Sequence, residues 1–152
     1  MRVISKEFNA LVEHFGSLVP HTLGTFDYPS YEAMRAEWLL TGSIQVNTDH
    51  SDGTIFGHPR VNWLFRAWHD YCHLLVNAPF DAQGEKRAAD EQIRQVYAHP
   101  SLSDADKPLF ARIIGIEVNG QVDYYLAHNS FPPDQLAFFM AEWTRLYGEW
   151  EG

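Results

Sequence analysis

Apolar residues recur every three or four positions through most of this chain, the spacing of one face of an α-helix. Leu11, Val12 and Phe15 mark a first helix from about Ser5 to Phe15, closed by Gly16. Pro20–Pro29 reads as a loop. Ser30 is an N-cap for a helix over Tyr31–Leu40, and Gly42 stands just past its end. The stretch Ser43–Pro59 breaks the helical period and is rich in turn formers, among them Asn47, Asp49, Asp52, Gly53 and Gly57. Within it, Ile44-Gln45-Val46 and Thr54-Ile55-Phe56 predict two short strands.

The helical pattern then returns. One helix runs from about Pro59 or Arg60 to Val76, with proline in its first turn and Pro79 as its stop. A second covers Glu85–Ala98 and ends before Pro100. Ser103 and Asp106 form a capping-box pattern that opens a long helix. Pro133–Glu149 carries Leu136, Phe139, Met140, Trp143 and Tyr147 at helical spacing.

Asn119-Gly120 is also a hairpin signal. A two-residue turn there would pair Val118 with Gln121 and Ile116 with Asp123, apolar against polar twice. The helical alternative aligns Phe110, Ile113, Ile114, Val118, Val122 and Tyr125 on one stripe. The expectation is therefore one helix from about Asp104 to His128, with Gly115 and Gly120 inside it. The fold expected overall is all-α: a single-domain bundle of about five or six helices with one irregular loop at about 43–59.

Composition narrows the function classes. The chain of 152 residues is 45% hydrophobic, enough for one core and one domain. A net charge of -9 argues against binding nucleic acid through its backbone. No apolar run reaches the ~20 residues of a membrane span, and Met1–Glu7 lacks the apolar core of a signal peptide. The single cysteine, Cys72, excludes an intramolecular disulfide and fits a reducing cytoplasm. On the apolar side of its helix it reads as an inert small hydrophobe.

Chemistry concentrates on the Pro59–Val76 helix. At 100° per residue, Asn62, Arg66, His69, Asp70, His73 and Asn77 share one polar stripe. The stripe has no Lys and no Glu, and apolar residues cover the rest of the helix. A helix of this kind is largely buried, where polar groups are costly unless paired or bound to an ion. His69 and His73, four apart, can aim two nitrogens at one cation. Glu85 falls on the inward face of the next helix, with Ala88, Ala89, Gln92, Ile93 and Val96, and can supply a third ligand. Glu in a first helical turn also favours the helix dipole, so both roles stand. Glu117 and Gln121 lie on the buried stripe of the long helix. They can add a ligand, orient a histidine, pair with each other or pair with Arg66.

The string His69-Asp70-x-x-His73, eleven residues, then Glu85, with Gly84 before it and Arg66 upstream, resembles the signature of the ubiquinone-biosynthesis family. That hallmark is HDxxH followed by eleven residues and a glutamate. The likeness is local, and the chain is shorter than typical members. It implies an all-helical fold and a divalent metal, taken to be zinc, on His69, Asp70, His73 and Glu85. It also implies a part in ring decarboxylation and in organising coenzyme Q synthesis.

The expected function is that of a metal-dependent lyase or hydrolase acting on a small-molecule substrate. One divalent ion, Zn²⁺ foremost with Fe²⁺ or Mn²⁺ as alternatives, would sit on His69, His73 and Glu85 and polarise a substrate oxygen or activate water. Asp70 would complete the shell or hold a histidine tautomer. Arg66 would clamp a substrate carboxylate or phosphate. A second expectation is a nucleotide phosphohydrolase of the HD type, with His50, His58 and Asp123 as its remaining candidates. A third is a non-catalytic metal-binding or interaction protein that docks a partner on the aromatic end Trp143–Trp150.

Overall fold

The computed structural model describes residues 3–151. Its helices are α1 (Lys6–Ser17), α2 (Tyr31–Thr41), α3 (Pro59–Val76), α4 (Ala82–Ala98), α5 (Asp106–Ile114), α6 (Gln121–His128) and α7 (Gln135–Tyr147). A π-helical segment, Gly115–Gly120, joins α5 to α6, so the three form one rod. The fold is thus all-α in its main frame, with six helical rods, five of them contributing to one principal core and α2 to a second cluster. Among the described residues no helix is long and apolar enough to cross a membrane.

Local chemistry explains most helix ends. Ser5, Ser30, Asp81 and Asp134 each accept a hydrogen bond from a backbone N–H of the first turn of α1, α2, α4 and α7. Gly42 closes α2 in the left-handed conformation at φ 70°. Asn77 does the same for α3 at φ 51°, two residues before Pro79. Asn77 is therefore a helix cap, its side chain accepting from the Tyr31 hydroxyl at 2.9 Å, and not part of the site.

Several expectations need correction. Gly16 does not end α1. It lies inside the helix, where a Cβ would stand 2.5 Å from the Leu64 carbonyl oxygen, so glycine there lets α1 and α3 approach closely. α4 begins a turn earlier than Glu85, because Asp81 caps it. The long rod begins at Asp106, two residues late, although Ser103 Oγ still accepts from the Asp106 N–H at 3.1 Å.

The loop 20–29 contains a strand, β1 (His21–Gly24). It pairs in parallel with β2 (Ile44–Asn47), His21 opposite Ile44. The parallel order follows from α2, which carries the chain back across the sheet's end. Thr54-Ile55-Phe56, expected as a second short strand, forms a bend and turn instead. Ile55 and Phe56 are buried, and Ile55 accepts the backbone N–H of Ile4. Apolarity there reports burial, not a strand.

The principal core gathers Phe8, Phe56, Phe65, Trp68, Phe110 and Phe139 around α3. A smaller cluster of Val19, Met34, Ile44, Val46 and Ala67 seats the β-strands on the opposite flank of the same helix. α3 is thus held on two sides, and its remaining stripe faces α4 and the π segment. At the aromatic end, Trp143 is buried and Trp150 packs on it at 4.6 Å between ring centroids, while Leu146 and Tyr147 stay exposed.

Candidate metal centre

His69 and His73 leave α3 one turn apart, and Glu85 reaches them from the first turns of α4. Glu85 Oε2 lies 2.7 Å from His69 Nε2 and 3.0 Å from His73 Nε2. The two Nε2 atoms are 3.2 Å apart. These three groups are a set that can hold a metal ion, their ligand atoms all within 4.8 Å of one another.

The far nitrogens of both rings are already committed. His73 Nδ1 donates to the Ala78 carbonyl at 2.9 Å, an acceptor that fixes the proton on Nδ1. His69 Nδ1 donates to Gln92 Oε1 at 2.7 Å. With both imidazoles neutral, each aims an Nε2 lone pair at the Glu85 carboxylate, which is itself only an acceptor. Three acceptors cannot share so small a space without a positive centre between them. Protons on both Nε2 atoms supply one solution; a single divalent ion supplies the other. The ligand atoms of a tetrahedral Zn²⁺ with ~2.0–2.1 Å bonds stand about 3.3 Å apart, close to the spacing found here. The donor set fits the ion.

Without an ion, charge pairing between the histidines and Glu85 holds the cluster. Burial alone would raise the Glu85 pKa, but hydrogen bonds and charge from His69 and His73 bring it down to about 2. Burial works against a charged His69, yet Glu85 holds its pKa above the ordinary imidazole value. Burial pushes the Cys72 thiol pKa up, keeping it protonated and inert.

Gly84 is a packing requirement of the site. A Cβ there would run into the main-chain carbonyl of Pro79, next to Ala78 whose oxygen holds His73. Backbone cannot rotate aside as a side chain can. Gly84→Ala is expected to destabilise by at least the ~1–3 kcal/mol of ordinary overpacking, read as a lower urea midpoint. It should weaken metal uptake as well, by shifting Ala78.

Asp70, next to His69 on α3, is not among the three converging ligands, and the histidine tautomers are held by Gln92 and Ala78 in its place. One residue further along a helix points about 100° away, which is why the neighbours part company. Asp70 instead lines two cavities, of about 1040 and 290 Å³, that meet at Asp27, Asp70 and Glu85. Burial raises its pKa to about 6.

Arg66 is also redirected. Its Nη1 donates to the Asn47 carbonyl at 2.6 Å and its Nη2 to the His50 carbonyl at 3.1 Å. It lines the larger cavity as a brace for the loop after β2, with two of its donors already engaged.

Glu117 sits on the π segment and is only 8% exposed, facing the larger cavity. Gln121 Nε2 donates to Glu117 Oε1 at 3.4 Å. Burial raises the Glu117 pKa to about 7, the partly offsetting influences being Gln121 and Arg66. π-helical turns inside α-helices recur at functional sites, and this one sets a buried carboxylate in the cavity wall.

Two residues of the site escaped the sequence. Gln92 lies two turns below Glu85 on the same inward face of α4 and is fully buried; an amide among Ala88, Ala89 and Val96 was the available signal. Asn62, on the polar stripe of α3, is also buried and lines the larger cavity, with no hydrogen-bond partner at Nδ2. The HD-type candidates are dispersed: His58 caps α3, and Asp123 forms an exposed ion pair with Lys86 at 3.0 Å. Compared with protein-family models, curated proteins and solved structures, the chain matches none.

Proposed function

We propose that this protein is a metal-dependent enzyme acting on a small molecule, with His69 Nε2, His73 Nε2 and Glu85 as the metal ligands. The observation that carries the reading is the convergence of His69 Nε2, His73 Nε2 and the Glu85 carboxylate, with the Nδ1 of each ring held by a partner of its own. A structural site closes its coordination with four protein ligands, whereas three ligands beside a cavity of about 1040 Å³ suit catalysis. When bound, a divalent ion supplies Lewis-acid polarisation of a substrate oxygen or a more acidic water.

The chain's own residues do the rest. Gln92 and Ala78 keep both imidazoles aimed. Asp70 and Glu117, buried carboxylates with raised pKa values, stand in the cavity wall where a proton can be taken or given near neutral pH. Phe65 and Val118 contribute apolar wall. Two histidines and one carboxylate serve Zn²⁺ hydrolases and also Fe²⁺ sites, and zinc is the first choice here through the motif's resemblance. Ring decarboxylation is the reaction that resemblance offers, and it rests on the motif alone.

Metal analysis tests the proposal. Protein prepared without chelator should carry about one divalent ion per chain. Stripping it should lower stability by about 2.7 kcal/mol relative to protein held at ~100 times the ion's Kd. Cys72→Ala should leave ion content intact. A chain that takes up neither Zn²⁺, Fe²⁺ nor Mn²⁺, with an unchanged melting temperature, would sink the assignment.

A further inference from the structure

The smaller cavity, of about 290 Å³, is walled by aromatic rings. Phe26, Tyr28 and Phe80 line it, with Asp70 and Glu85 where it meets the larger cavity. Phe26 is 46% exposed and Phe80 37%, and neither belongs to a hydrophobic cluster of the fold. Their rings are held all the same. Phe26 stands at 86° to Tyr28 with centroids 5.2 Å apart, so the two make a corner. The Tyr28 hydroxyl donates to Glu37 Oε2 at 2.7 Å and accepts from the Gln45 N–H at 2.8 Å. Phe80 packs edge-to-face with His73 at 5.0 Å and with Tyr31 at 6.0 Å. Rings fixed before a ligand arrives lose little freedom on binding it.

Charge selects among the ligands such rings could take. An aromatic face attracts a cation held within about 6 Å of its centroid. No lysine or arginine lines the cavity, and every charged side chain in its wall is a carboxylate. Asp70 takes no hydrogen bond from any described residue, so its charge is open to a ligand. A primary ammonium brings three N–H donors that need acceptors. The rings supply none, and the Tyr28 hydroxyl is already engaged. A quaternary ammonium has no N–H to satisfy. Its methyl groups can cover the rings while its charge faces Asp70. The volume is at the small end of ligand sites.

From this arrangement we propose that Phe26, Tyr28, Phe80 and Asp70 form a binding site for a small molecule bearing a quaternary ammonium group. The two cavities share Asp70 and Glu85, so a ligand anchored on the rings extends toward the His69–His73–Glu85 centre. This deepens the metal-dependent reading by naming its substrate class. It rests on that reading for what happens at the ion, and not for the binding of the cation.

Choline and dimethylbutanol make the test, a neutral tert-butyl group replacing the trimethylammonium group in the second. Both carry the same hydroxyl, so contact with an ion does not separate them. Calorimetric titration into zinc-loaded and chelator-treated protein should show choline binding about tenfold more tightly in both states. Phe26→Leu and Phe80→Leu keep an apolar side chain and remove the ring. Each should weaken choline binding several-fold and leave dimethylbutanol little changed, with circular dichroism reporting folding. Asp70→Asn should weaken choline binding likewise, and Asp90→Asn, an exposed change outside the cavity, should not. Equal binding of the two alcohols would overturn the proposal. So would no binding of choline at millimolar concentrations, or an equal loss in Asp90→Asn, which would mark attraction to the surface at large. A trimethyllysine peptide bound more tightly than choline would mark a peptide site and overturn the small-molecule assignment. Zinc uptake is read separately. Choline preference without zinc uptake removes the metal reading and keeps this one, and zinc uptake without choline preference does the reverse.

Discussion

His73→Ala is expected to strip the divalent ion from this protein. His73 is fully buried, its Nδ1 proton fixed on the Ala78 carbonyl and its Nε2 directed at Glu85 and His69. Removing it leaves two ligands, too few for a stable site. Loss of an outer partner costs roughly 10–100-fold in metal affinity, and loss of a ligand should exceed that. The series His73→Ala, Gln92→Ala, Cys72→Ala should therefore rank in that order of damage. Gln92→Ala should fall within the roughly 10–100-fold window, because it frees the His69 ring without removing a ligand. Metal content after dialysis and Zn²⁺ titration read the series, with circular dichroism reporting folding. Equal ion retention in His73→Ala and Cys72→Ala would remove His73 from the site.

Glu117→Gln is expected to stabilise the metal-free protein, and only at neutral and alkaline pH. Burial holds the folded Glu117 pKa at about 7, against an ordinary value of 4.5. Below the lower value the carboxyl is neutral in both folded and unfolded chains, and the fold bears no penalty. As pH rises toward the folded pKa, the unfolded chain ionises first and gains relative to the fold. Above it both are ionised and the penalty is complete, on the order of 3 kcal/mol. Glutamine keeps the shape and avoids the charge. Urea unfolding in chelator should show the variant ahead by roughly 2–3 kcal/mol at about pH 8 and level with the parent at about pH 4. A gain independent of pH would show that ionisation is not its cause. A carboxylate kept in place against its own stability is what a functional wall residue looks like.

The helical frame was legible because helix signals are local. Ser30, Gly42 and Pro59 mark ends in the same places in sequence and structure. The pairing of β1 with β2 was not, because it joins segments twenty-odd residues apart and His21–Gly24 carries no strong alternation. Tyr125 shows a different limit. A uniform 100° step placed it on the buried stripe, but it is 41% exposed. The π segment before it widens the helix, so the phase of every later residue is displaced. The site itself was mostly visible, because His69 and His73 share a helix and Glu85 lies on a predictable face. What lay hidden was its orientation. Backbone contacts such as Ala78 to His73 and Arg66 to Asn47 depend on where loops close, and no side-chain pattern encodes them.

The two imidazoles, alike in the ring, differ in heritability. One is oriented by an amide side chain, so a single codon change at Gln92 can alter its basicity and leave the fold alone. The other is oriented by a peptide oxygen, which every amino acid at position 78 would still present. Selection can tune the first ligand stepwise, while the second changes only when the turn between α3 and α4 is rebuilt.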